Sequence, residues 1–539
     1  MKPGHLVWLR RISQTVFLLL FLFLLVQSRL PQEIFFDYTQ SMGDAQDIRI
    51  HQPVTFFFQL DPLVWITSLI SGHTWIKGVG WALLVLVLTV LLGRVFCGFI
   101  CPFGTIHNMV SYFRPGLKGN RLIHANRSSP ALRIKYFILF GVLTTSLFGL
   151  NLAGLMDPMS FLFRSLALAL FPGIGNSLTG LFGYFAALDI HFLKMLSYGE
   201  QLFWPVFGFD FKLFQSGWLI GVIFLTIIFL NRIKPRFWCR TLCPLGALLG
   251  VCSGFSLLRL EQKEEACTHC RQCVKTCQGA AEPEPGTTWN SAECLMCFNC
   301  FAACPESAVR FTFRRRAHAR RLPDMGRRAV IGGLTAGISL SVFGTLDGRV
   351  HGTSNAGLVR PPGSLAESEF LTLCQRCGLC MKACPTNVIN PALTEAGMAG
   401  FWTPTLRMTQ GYCEHTCTIC GSVCPTGAIA EITSIEKTET PIRIGSAHLD
   451  RGRCLPWSGN GPCIVCEEHC PTSPKAIYLI ENRVEGPRNT LTPVKLPQID
   501  LKQCTGCGIC ENKCPVKGKP AIRVIAAGES RSLTNRILL

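Results

Sequence analysis

Two cysteine-rich runs decide the fold, "CTHCRQCVKTC" at residues 267–277 and "CLMCFNCFAACP" at residues 294–305. Both have the spacing CxxCxxCxxxC, which is typical of bacterial [4Fe-4S] ferredoxins. In that arrangement three cysteines of one run and the fourth cysteine of the other run hold one cluster. The spacing therefore assigns one cluster to Cys267, Cys270, Cys273 and Cys304, and another to Cys294, Cys297, Cys300 and Cys277.

Structural zinc is the alternative for any set of four cysteines, but zinc sites typically consist of two separated CxxC pairs. The tight runs therefore favour iron–sulfur clusters. Gln278 replaces the proline that usually follows the fourth cysteine, and this departure leaves the ligands intact.

Four more cysteine runs follow, beginning at Cys374, Cys413, Cys454 and Cys504. The runs at Cys413 and Cys454 have wider first gaps, but each still supplies four thiols. These runs predict four more [4Fe-4S] clusters, six in all. Their cysteines are Cys374, Cys377, Cys380, Cys384, Cys413, Cys417, Cys420, Cys424, Cys454, Cys463, Cys466, Cys470, Cys504, Cys507, Cys510 and Cys514.

Composition indicates a membrane part in this chain of 539 residues. A mean hydropathy of +0.32 with 16% charged residues is too apolar for an ordinary soluble enzyme of this length. The formal net charge is +19, but the Lys and Arg residues cluster beside apolar segments, where they orient helices in a membrane. We therefore expect membrane lipid as a partner and no nucleic acid.

Four stretches are apolar enough to be predicted as membrane spans, although the first and the last are short. They are residues 12–26, 79–96, 134–155 and 218–230. The distribution of Lys and Arg between the loops places the N-terminus and everything after Leu230 in the cytoplasm. Residues 160–195 are apolar but interrupted by Arg164, Pro172 and Asp189, so we expect interfacial or re-entrant helices there. If one of them crosses alone, the sidedness of all that follows is reversed.

An internal repeat accompanies these spans. "RVFCGFICPFG" (94–104) matches "RFWCRTLCPLG" (236–246), and "LDPLVWITSLI" (60–70) matches "MDPMSFLFRSL" (156–166). A parallel duplication of this kind is a known way to build a membrane protein around a central site. In each CxxxCP motif the cysteines are four residues apart and face one way on a helix. Cys97, Cys101, Cys239 and Cys243 are therefore a candidate additional metal or cluster site, with redox dithiols or helix-terminating motifs as the alternatives.

The segment "MGRRAVIGGLTAG" (325–337) has the two arginines and the mild apolar stretch of a twin-arginine export signal, although it lies mid-chain. The 18 residues from Ala329 to Leu346 are Gly-rich and moderately apolar, and as a helix they would reach across most of a bilayer core of roughly 30 Å. We expect a fifth crossing that sends the last four clusters outside. The alternative is a cytoplasmic hinge helix between two ferredoxin modules.

The predicted fold class is a multidomain protein with an α-helical membrane bundle of four spans built as a parallel repeat. The bundle is joined to α+β bacterial ferredoxin-like domains, the second of them through the fifth apolar segment. The predicted domains are a membrane domain (1–258), a cytoplasmic two-cluster domain (259–313), a basic stretch with the twin-arginine-like segment and linker (314–360), and a four-cluster domain (361–539).

The first 320 or so residues resemble NapH, the membrane ferredoxin-type protein of periplasmic nitrate reductase systems, in their spans, CxxxCP motifs and two cluster runs. Residues 325–539 resemble the exported ferredoxin-type proteins NapG and MauM. The resemblance implies a quinol dehydrogenase in the bacterial inner membrane, which passes electrons from the quinone pool to a periplasmic reductase or its cytochrome. Under that function Asp61 and Asp157 are candidate acceptors for the quinol protons, since acids beside a membrane are often functional.

The resemblance also implies a pairing of the four-run domain in which the first run shares clusters with the fourth and the second with the third. Cys374, Cys377 and Cys380 would then go with Cys514, and Cys504, Cys507 and Cys510 with Cys384. Likewise Cys413, Cys417 and Cys420 would go with Cys470, and Cys454, Cys463 and Cys466 with Cys424.

Two other functions remain open from the sequence. The protein could be a redox maturation or activation factor for a periplasmic enzyme, as the resemblance to MauM allows. A redox sensor is a weaker alternative, because no effector domain is recognisable. A peptidase site near Ser354–Ala356 would divide the chain into two proteins.

Overall fold

The computed structural model describes residues 3–29, 50, 54–112, 119–187, 214–313, 327–350, 356–438, 442–485, 491–532 and 535. The chain forms two compact units that alternate along the sequence. The first unit comprises Met1–Val26, Val54–Ser165 and Trp218–Val342, and the second comprises Gln27–Pro53, Leu166–Gly217 and Phe343–Leu539. Two parts of the predicted stretch 314–360 lie outside the described residues. They are the basic stretch 314–321 with the residues up to 326, and the linker residues 351–355.

The N-terminal half of the chain is helical. Its described helices are α1 (Pro3–Gln27), α2 (Thr55–Gln59), α3 (Pro62–Gly72), α4 (Val79–Leu92), α5 (Pro102–Tyr112), α6 (Gly119–Asn126), α7 (Ile134–Leu147), α8 (Ala153–Met156), α9 (Pro158–Ser165), α10 (Phe171–Ala187), α11 (Gly217–Phe229), α12 (Phe237–Thr241) and α13 (Pro244–Ser253). Short π-helical turns lie at Phe96–Ile100 and Leu166–Leu170.

Within the described part of the chain, three helical segments are long and apolar enough to cross a membrane: Gly4–Gln27, Gly119–Leu147 and Pro158–Tyr184. The first two contain the predicted spans 12–26 and most of 134–155. The predicted spans at 79–96 and 218–230 correspond to the shorter apolar helices Val79–Leu92 and Gly217–Arg232. The apolar helices support a membrane protein, and the count of four spans stays a prediction.

The segment after residue 160 is helical, since α9, the π turn Leu166–Leu170 and α10 follow one another without a break past Arg164 and Pro172. Asp189 lies outside the described residues, and interfacial or re-entrant helices stay a prediction. Arg164 is fully buried and donates to the carbonyl oxygens of Gly154 at 3.2 Å and Leu155 at 3.3 Å. Pro172 removes a backbone donor and crowds the carbonyl four residues before it. The π turn accommodates this change, since such turns widen the helix locally.

The repeated motifs begin helices in the same way. Asp61 precedes α3, and its Oδ1 accepts from the backbone N–H of Leu63 at 2.8 Å; Asp157 precedes α9, and its Oδ2 accepts from the N–H of Ser160 at 2.8 Å. A side-chain oxygen in this position satisfies donors that a helix start leaves free. The two CxxxCP motifs likewise each precede a helix that begins at the proline, α5 and α13.

The first unit continues into a small α+β domain. Strands β1 (Leu258–Gln262) and β2 (Val309–Phe313) pair antiparallel, with Leu258 opposite Phe313. Between them lie the one-turn helices α14 (Gln272–Thr276) and α15 (Asn299–Ala303). The hydrophobic core of this domain includes two of its cysteines. It consists of Leu260, Val274 and Val309, which pack with Cys273 and Cys300. These elements cover residues 259–313, for which the sequence predicts the two-cluster domain, and that name is kept for them below.

The twin-arginine-like segment is helix α16 (Arg327–Val350), and it packs on α7. A Cβ at Gly333 would lie 2.9 Å from the carbonyl oxygen of Phe137, and one at Gly337 would lie 2.8 Å from that of Gly141. Small residues four apart let two helix backbones approach closely. The contacts advance in the same direction along both chains, so the two helices run parallel.

The second unit carries the four-run domain. Its described helices are α17 (Glu367–Leu373), α18 (Leu379–Ala383), α19 (Ile419–Ser422), α20 (Ser434–Thr438), α21 (Val465–Glu468) and α22 (Ile509–Lys513). Its strands are β3 (Ile389–Pro391), β4 (Pro404–Leu406), β5 (Ser446–Leu449), β6 (Ile477–Glu485), β7 (Leu491–Ile499) and β8 (Ile522–Ile525). They form antiparallel pairs β3–β4, β5–β8 and β6–β7. The β5–β8 pair joins the third run to the fourth.

Candidate redox centres

The residues on either side of the second cysteine shape the regular runs. In the runs at Cys267, Cys294, Cys374 and Cys504 both of these residues have positive φ: His269 and Arg271, Met296 and Phe298, Arg376 and Gly378, Gly506 and Gly508. Left-handed residues turn the chain sharply, which lets three thiols converge. Non-glycine residues hold this conformation at some energetic cost, so the turns must be maintained by their surroundings.

In the two-cluster domain the structure groups the eight cysteines as the spacing predicts. Cys273 interacts with Cys304 and Cys267, and we call this group with Cys270 site 1. Cys300 interacts with Cys297, Cys294 and Cys277, which form site 2. Cys300 also interacts with Cys273, so the two sites adjoin. Cys270 is exposed, whereas Cys277, Cys294 and Cys300 are buried, so site 1 lies nearer the surface.

In the four-run domain the pairing taken from the resemblance is wrong. A cavity is lined by Cys374, Cys377 and Cys380 together with Cys424, and these form site 3. Cys420 interacts with Cys417, Cys413 and Cys384, which form site 4. Consecutive runs therefore pair. The physical reason is that the fourth cysteine of a run is free to reach whichever run packs against it, and here the first run packs on the second.

The third and fourth runs pair in the same way. A second cavity is lined by Cys504, Cys507 and Cys510 together with Cys470, which form site 6. Cys454 interacts with Cys463 and Cys514, and with Cys466 these form site 5. The β5–β8 strand pair, with Ser446 opposite Ile525, brings these two runs together.

The four sites of this domain lie in the order 3, 4, 6, 5. Sites 3 and 4 adjoin through Cys380 and Cys420, and sites 6 and 5 adjoin through Cys510 and Cys466. The link between the two pairs is a backbone hydrogen bond of 2.8 Å from the N–H of Cys413 in site 4 to the carbonyl of Cys507 in site 6. Such an order suits stepwise electron transfer through the domain.

Burial raises the pKa of several buried thiols in these sites, because an apolar surrounding disfavours the thiolate. The pKa of Cys273, Cys417, Cys466 and Cys507 is raised to about 12 in each case. Without iron these thiols are protonated at neutral pH, and cluster binding displaces their protons. Among the described residues, no three His, Cys, Asp or Glu side chains come together as ligands of a single metal ion.

Lys437 is a site residue that sequence reasoning missed. Its Nζ lies 3.4 Å from the Sγ of Cys413 and donates to the carbonyl oxygens of Glu414 at 2.6 Å and Cys417 at 2.7 Å. The side chain is only 5% exposed. A buried lysine at a cluster ligand stabilises negative charge there. No sequence signal marks it, because it lies beyond the run on α20.

The two CxxxCP motifs meet in the first unit. Cys101 interacts with Cys97 and Cys239, and Cys243 interacts with Cys239, Cys97 and Cys101. The backbone N–H groups of Gly104 and Gly246 donate to the Sγ atoms of Cys101 at 3.3 Å and Cys243 at 3.2 Å. We call these four cysteines the four-thiol centre. Their convergence is as the repeat predicted.

Buried cations surround the four-thiol centre. Arg94, Arg236 and Lys135 are each at most 1% exposed. Against these three cations stands one buried acid, Glu293, which pairs with Lys135 and lies 3.7 Å from Nη1 of Arg94. The surplus of buried positive charge favours an anionic occupant or thiolates, because an uncompensated buried charge is costly.

The same arginines connect the four-thiol centre to site 2. Arg94 donates to the carbonyl of Ala292 at 2.8 Å, and the Nε of Arg236 donates to Gln278 at 3.0 Å. These partners flank the site 2 cysteines Cys294 and Cys277. A Cβ at Gly98 would lie 2.2 Å from the carbonyl oxygen of Leu295, so only glycine allows this contact. The repeat pattern contained both arginines, but their role required the tertiary structure.

Asp61 and Asp157 are also brought together. Both are fully buried, and the two carboxyl groups interact electrostatically. Asp61 Oδ2 and Asp157 Oδ1 have no hydrogen-bond partner among the described residues. Two buried carboxyl groups side by side disfavour two negative charges.

Sequence comparisons agree with these centres. Families described as "4Fe-4S binding domain" match residues 74–121 and 216–260 and, separately, residues 497–517, and a "4Fe-4S dicluster domain" matches residues 373–428. The dicluster match contains all eight cysteines of sites 3 and 4, as a pairing of consecutive runs requires. The matches at 74–121 and 216–260 each contain one CxxxCP motif.

Curated relatives match a large part of their own length. The methylamine utilization ferredoxin-type protein MauM of Methylobacillus flagellatus is 34% identical over 37% of this chain and 83% of the relative. The ferredoxin-type protein NapG of Escherichia coli is 37% identical over 38% of this chain and 87% of the relative. This chain belongs to the MauM and NapG family of ferredoxin-type proteins. This member of the MauM and NapG family is thus an iron–sulfur electron-transfer protein with several [4Fe-4S] domains. No solved structure matches it.

Proposed function

We propose that this MauM and NapG relative is a membrane-bound quinol dehydrogenase that passes electrons through six [4Fe-4S] clusters. The acceptor is a periplasmic reductase of the nitrate reductase type, or its cytochrome. The observation that carries the proposal is the packing of site 2 directly on the apolar helices, through Gly98 and Arg94. Through this packing, a lipid-soluble electron donor can reach a redox centre.

The meeting of the CxxxCP motifs supports the predicted sidedness. Cys101 and Cys239 interact, so the chain between them must cross a membrane an even number of times. Helices α7 and α11 supply two crossings. This number stays even if the long segment α9–α10 remains on one side of the membrane. With the Lys and Arg distribution, this favours sites 1 and 2 in the cytoplasm.

The parallel packing of α16 on α7 supports export of the four-run domain. Because α7 begins beside Glu293 at the two-cluster domain, a helix that runs parallel to it leads away from that side. At about 1.5 Å per residue, its 24 residues reach across a core of roughly 30 Å. We expect α16 to remain as a span.

Paired reporters fused to the C-terminus, one active only in the cytoplasm and one only outside, test this topology. We expect an external signal from the protein and its loss when Arg327 and Arg328 are both replaced by Lys. Cytoplasmic signal from both forms contradicts the export of sites 3 to 6 and indicates a cytoplasmic acceptor.

The role of Asp61 and Asp157 as proton acceptors for quinol is part of this proposal. It is supported by the meeting of the two buried carboxyl groups. We expect Asp61→Asn to slow reduction of the clusters by quinol while reduction by dithionite stays unchanged, since dithionite delivers no protons. Equal rates with quinol would remove the pair from the reaction.

The four-thiol centre is proposed as a further cluster site. Its residues fit such a group, because four thiols converge within a surplus of buried positive charge that the negative cluster would neutralise. A cluster held there would accept or donate single electrons next to site 2. We expect Cys239→Ser with Cys243→Ser to lower the iron content by about four atoms per chain. Cys252→Ser, outside the centre, is the matched control, and an unchanged iron content in the double variant contradicts the proposal.

The second candidate function is a redox maturation or activation factor, which the identity with MauM favours. Steady turnover of quinol by the purified protein with an acceptor supports the dehydrogenase. A partner enzyme that is inactive when made without this protein, yet fully active once matured, supports the maturation factor instead.

A further inference from the structure

A large cavity in the first unit lies between α1, α5 and the two-cluster domain. It has a volume of about 1080 Å³ and is lined on one side by Leu18 and Leu19 of α1 and Met109 of α5. Leu19 is 60% exposed on a helix apolar enough to cross a membrane. A molecule dissolved in lipid can therefore reach the cavity from the side of α1.

The opposite wall of the cavity belongs to the cluster sites. Thr276 and Gln278 flank Cys277 of site 2, and Ala303 precedes Cys304 of site 1. The Arg10 guanidinium, which also lines the cavity, interacts electrostatically with Cys297 of site 2. A redox-active occupant would thus lie beside both inner sites.

Two buried polar groups in this cavity lack partners among the described residues. Arg10 is 3% exposed, and its Nε and Nη1 make no hydrogen bond. Asn126 is also 3% exposed; its Nδ2 donates to the carbonyl oxygens of Val274 at 3.2 Å and Lys275 at 2.8 Å, and its Oδ1 is left without a donor. Buried polar groups are normally satisfied, so these two indicate a ligand.

The unpartnered atoms of Arg10 and Asn126 distinguish between classes of ligand. A phospholipid phosphate would satisfy Arg10, but it has no hydrogen for Asn126 Oδ1, so a phospholipid would need a second group in its head, an ammonium or a hydroxyl, at the same place. A quinol offers both, since its hydroxyl groups donate and accept, while its ring and tail suit the apolar wall. We infer that this cavity binds the ring of a membrane quinol, with Arg10 and Asn126 as its hydrogen-bond partners; the inference rests on the proposed quinol dehydrogenase function.

Oxidation of the quinol gives quinone, two protons and two electrons. A cluster held by the cysteines of site 2 would accept the electrons singly. Asp61 and Asp157 do not line the cavity, so this inference replaces the proton-acceptor role proposed for them, and the two protons leave to water at the open mouth of the cavity. Quinol oxidation in this cavity and quinol oxidation beside Asp61 and Asp157 predict different effects of substitutions. One experiment distinguishes the two sites.

The experiment uses the full-length holoprotein in detergent and the quinone-site inhibitor heptyl-hydroxyquinoline oxide as the binding probe. We expect Arg10→Met and Asn126→Leu each to weaken probe binding and to raise the quinol concentration for half-maximal cluster reduction about tenfold. Reduction by dithionite and iron content should stay unchanged. Arg121→Ala, an exposed cation on α6 outside the cavity, should match the unaltered protein.

The outcomes are distinct. If quinol never reduces the unaltered protein although dithionite does, the proposed function fails. If quinol reduces it and both cavity variants behave normally, while Asp61→Asn does not, the inference fails and the Asp pair is the quinol site. Phospholipid that co-purifies and is not displaced by quinol or by the probe also overturns the inference.

Discussion

At Lys437 a single charge acts directly on a cluster ligand. Its Nζ is 3.4 Å from the Sγ of Cys413, and its other hydrogen bonds go to backbone carbonyls of the same run. Because the ammonium stabilises the extra electron of a reduced cluster, its removal should make site 4 harder to reduce. This lysine therefore sets the potential of one step in the second unit.

We expect Lys437→Met to lower the midpoint potential of one cluster by roughly 40–90 mV, which corresponds to on the order of 1–2 kcal/mol for one hydrogen bond to a charged group. Lys437→Arg, which keeps the charge, should shift the potential much less. Potentiometric titration followed by electron paramagnetic resonance measures both. Identical potentials in all three forms would show that the charge is screened.

Glu367 forms ion pairs with two arginines. It accepts from Arg360 at 2.5 Å and from Arg531 at 2.7 Å. Burial raises the pKa of this carboxyl, but Arg360 and Arg531 outweigh burial and hold the pKa at about 2. A group with a lowered pKa stabilises the fold above its unfolded pKa and loses this contribution as pH falls through the folded pKa.

We therefore expect Glu367→Gln to destabilise the four-run domain at pH 7 by about 1 kcal/mol, a modest value because the Glu367 side chain is 36% exposed. The difference from the unaltered protein should shrink as pH falls from about 4.5 towards 2, where Glu367 becomes protonated. The midpoint of urea unfolding, followed by far-ultraviolet circular dichroism at each pH, measures this. A difference that stays constant over that window contradicts the role given to the carboxylate.

At the scale of elements, the close approach of α16 to α7 depends on glycine. A Cβ at Gly337 would lie 2.6 Å from Cβ of Thr144 and 2.8 Å from the carbonyl oxygen of Gly141. Gly333 and Ser341 continue the same buried face. In lipid this packing relies on van der Waals contact between small residues.

Gly337→Leu should force the helices apart and lower stability by about 1–3 kcal/mol. Thr335→Leu adds similar bulk on the exposed face of α16 and is the control. Thermal unfolding in detergent, followed by release of iron, compares the two variants. Equal unfolding temperatures would show that α16 does not pack on α7.

For the molecule as a whole, the pairing of runs sets the order of redox centres. Within the second unit the order is 3, 4, 6, 5, and it depends on Cys424 and Cys514 serving neighbouring runs. The pairing implied by the resemblance would exchange these two cysteines and connect the ends of the domain instead. The two arrangements give different losses of iron when cysteines are removed in combination.

We expect Cys454→Ser with Cys514→Ser to lose about four iron atoms, because both cysteines belong to site 5. Cys374→Ser with Cys514→Ser should lose about eight, because these belong to different sites. Iron and acid-labile sulfide analysis of the two double variants distinguishes the two pairings. The reverse result would restore the pairing of the first run with the fourth.

The sequence by itself determined the local chemistry of this protein. The spacing within each run brings three thiols together, because they lie on one short turning loop. An Asp-Pro pair commonly begins a helix, and Asp61 and Asp157 do so. The prolines of the CxxxCP motifs, for which a helix-terminating role was one alternative, instead begin α5 and α13. The cysteine grouping of sites 1 and 2 followed from the same local rule.

Only the tertiary structure decided which distant groups meet. The fourth ligand of sites 3 to 6 comes from another run, and nothing in the spacing selects which run packs against it. The contact of Asp61 with Asp157, the reach of Arg94 to Ala292 and that of Lys437 to Cys413 likewise join residues far apart or in different elements. Such contacts depend on how the elements pack, and packing is a property of the whole chain that a local pattern does not specify.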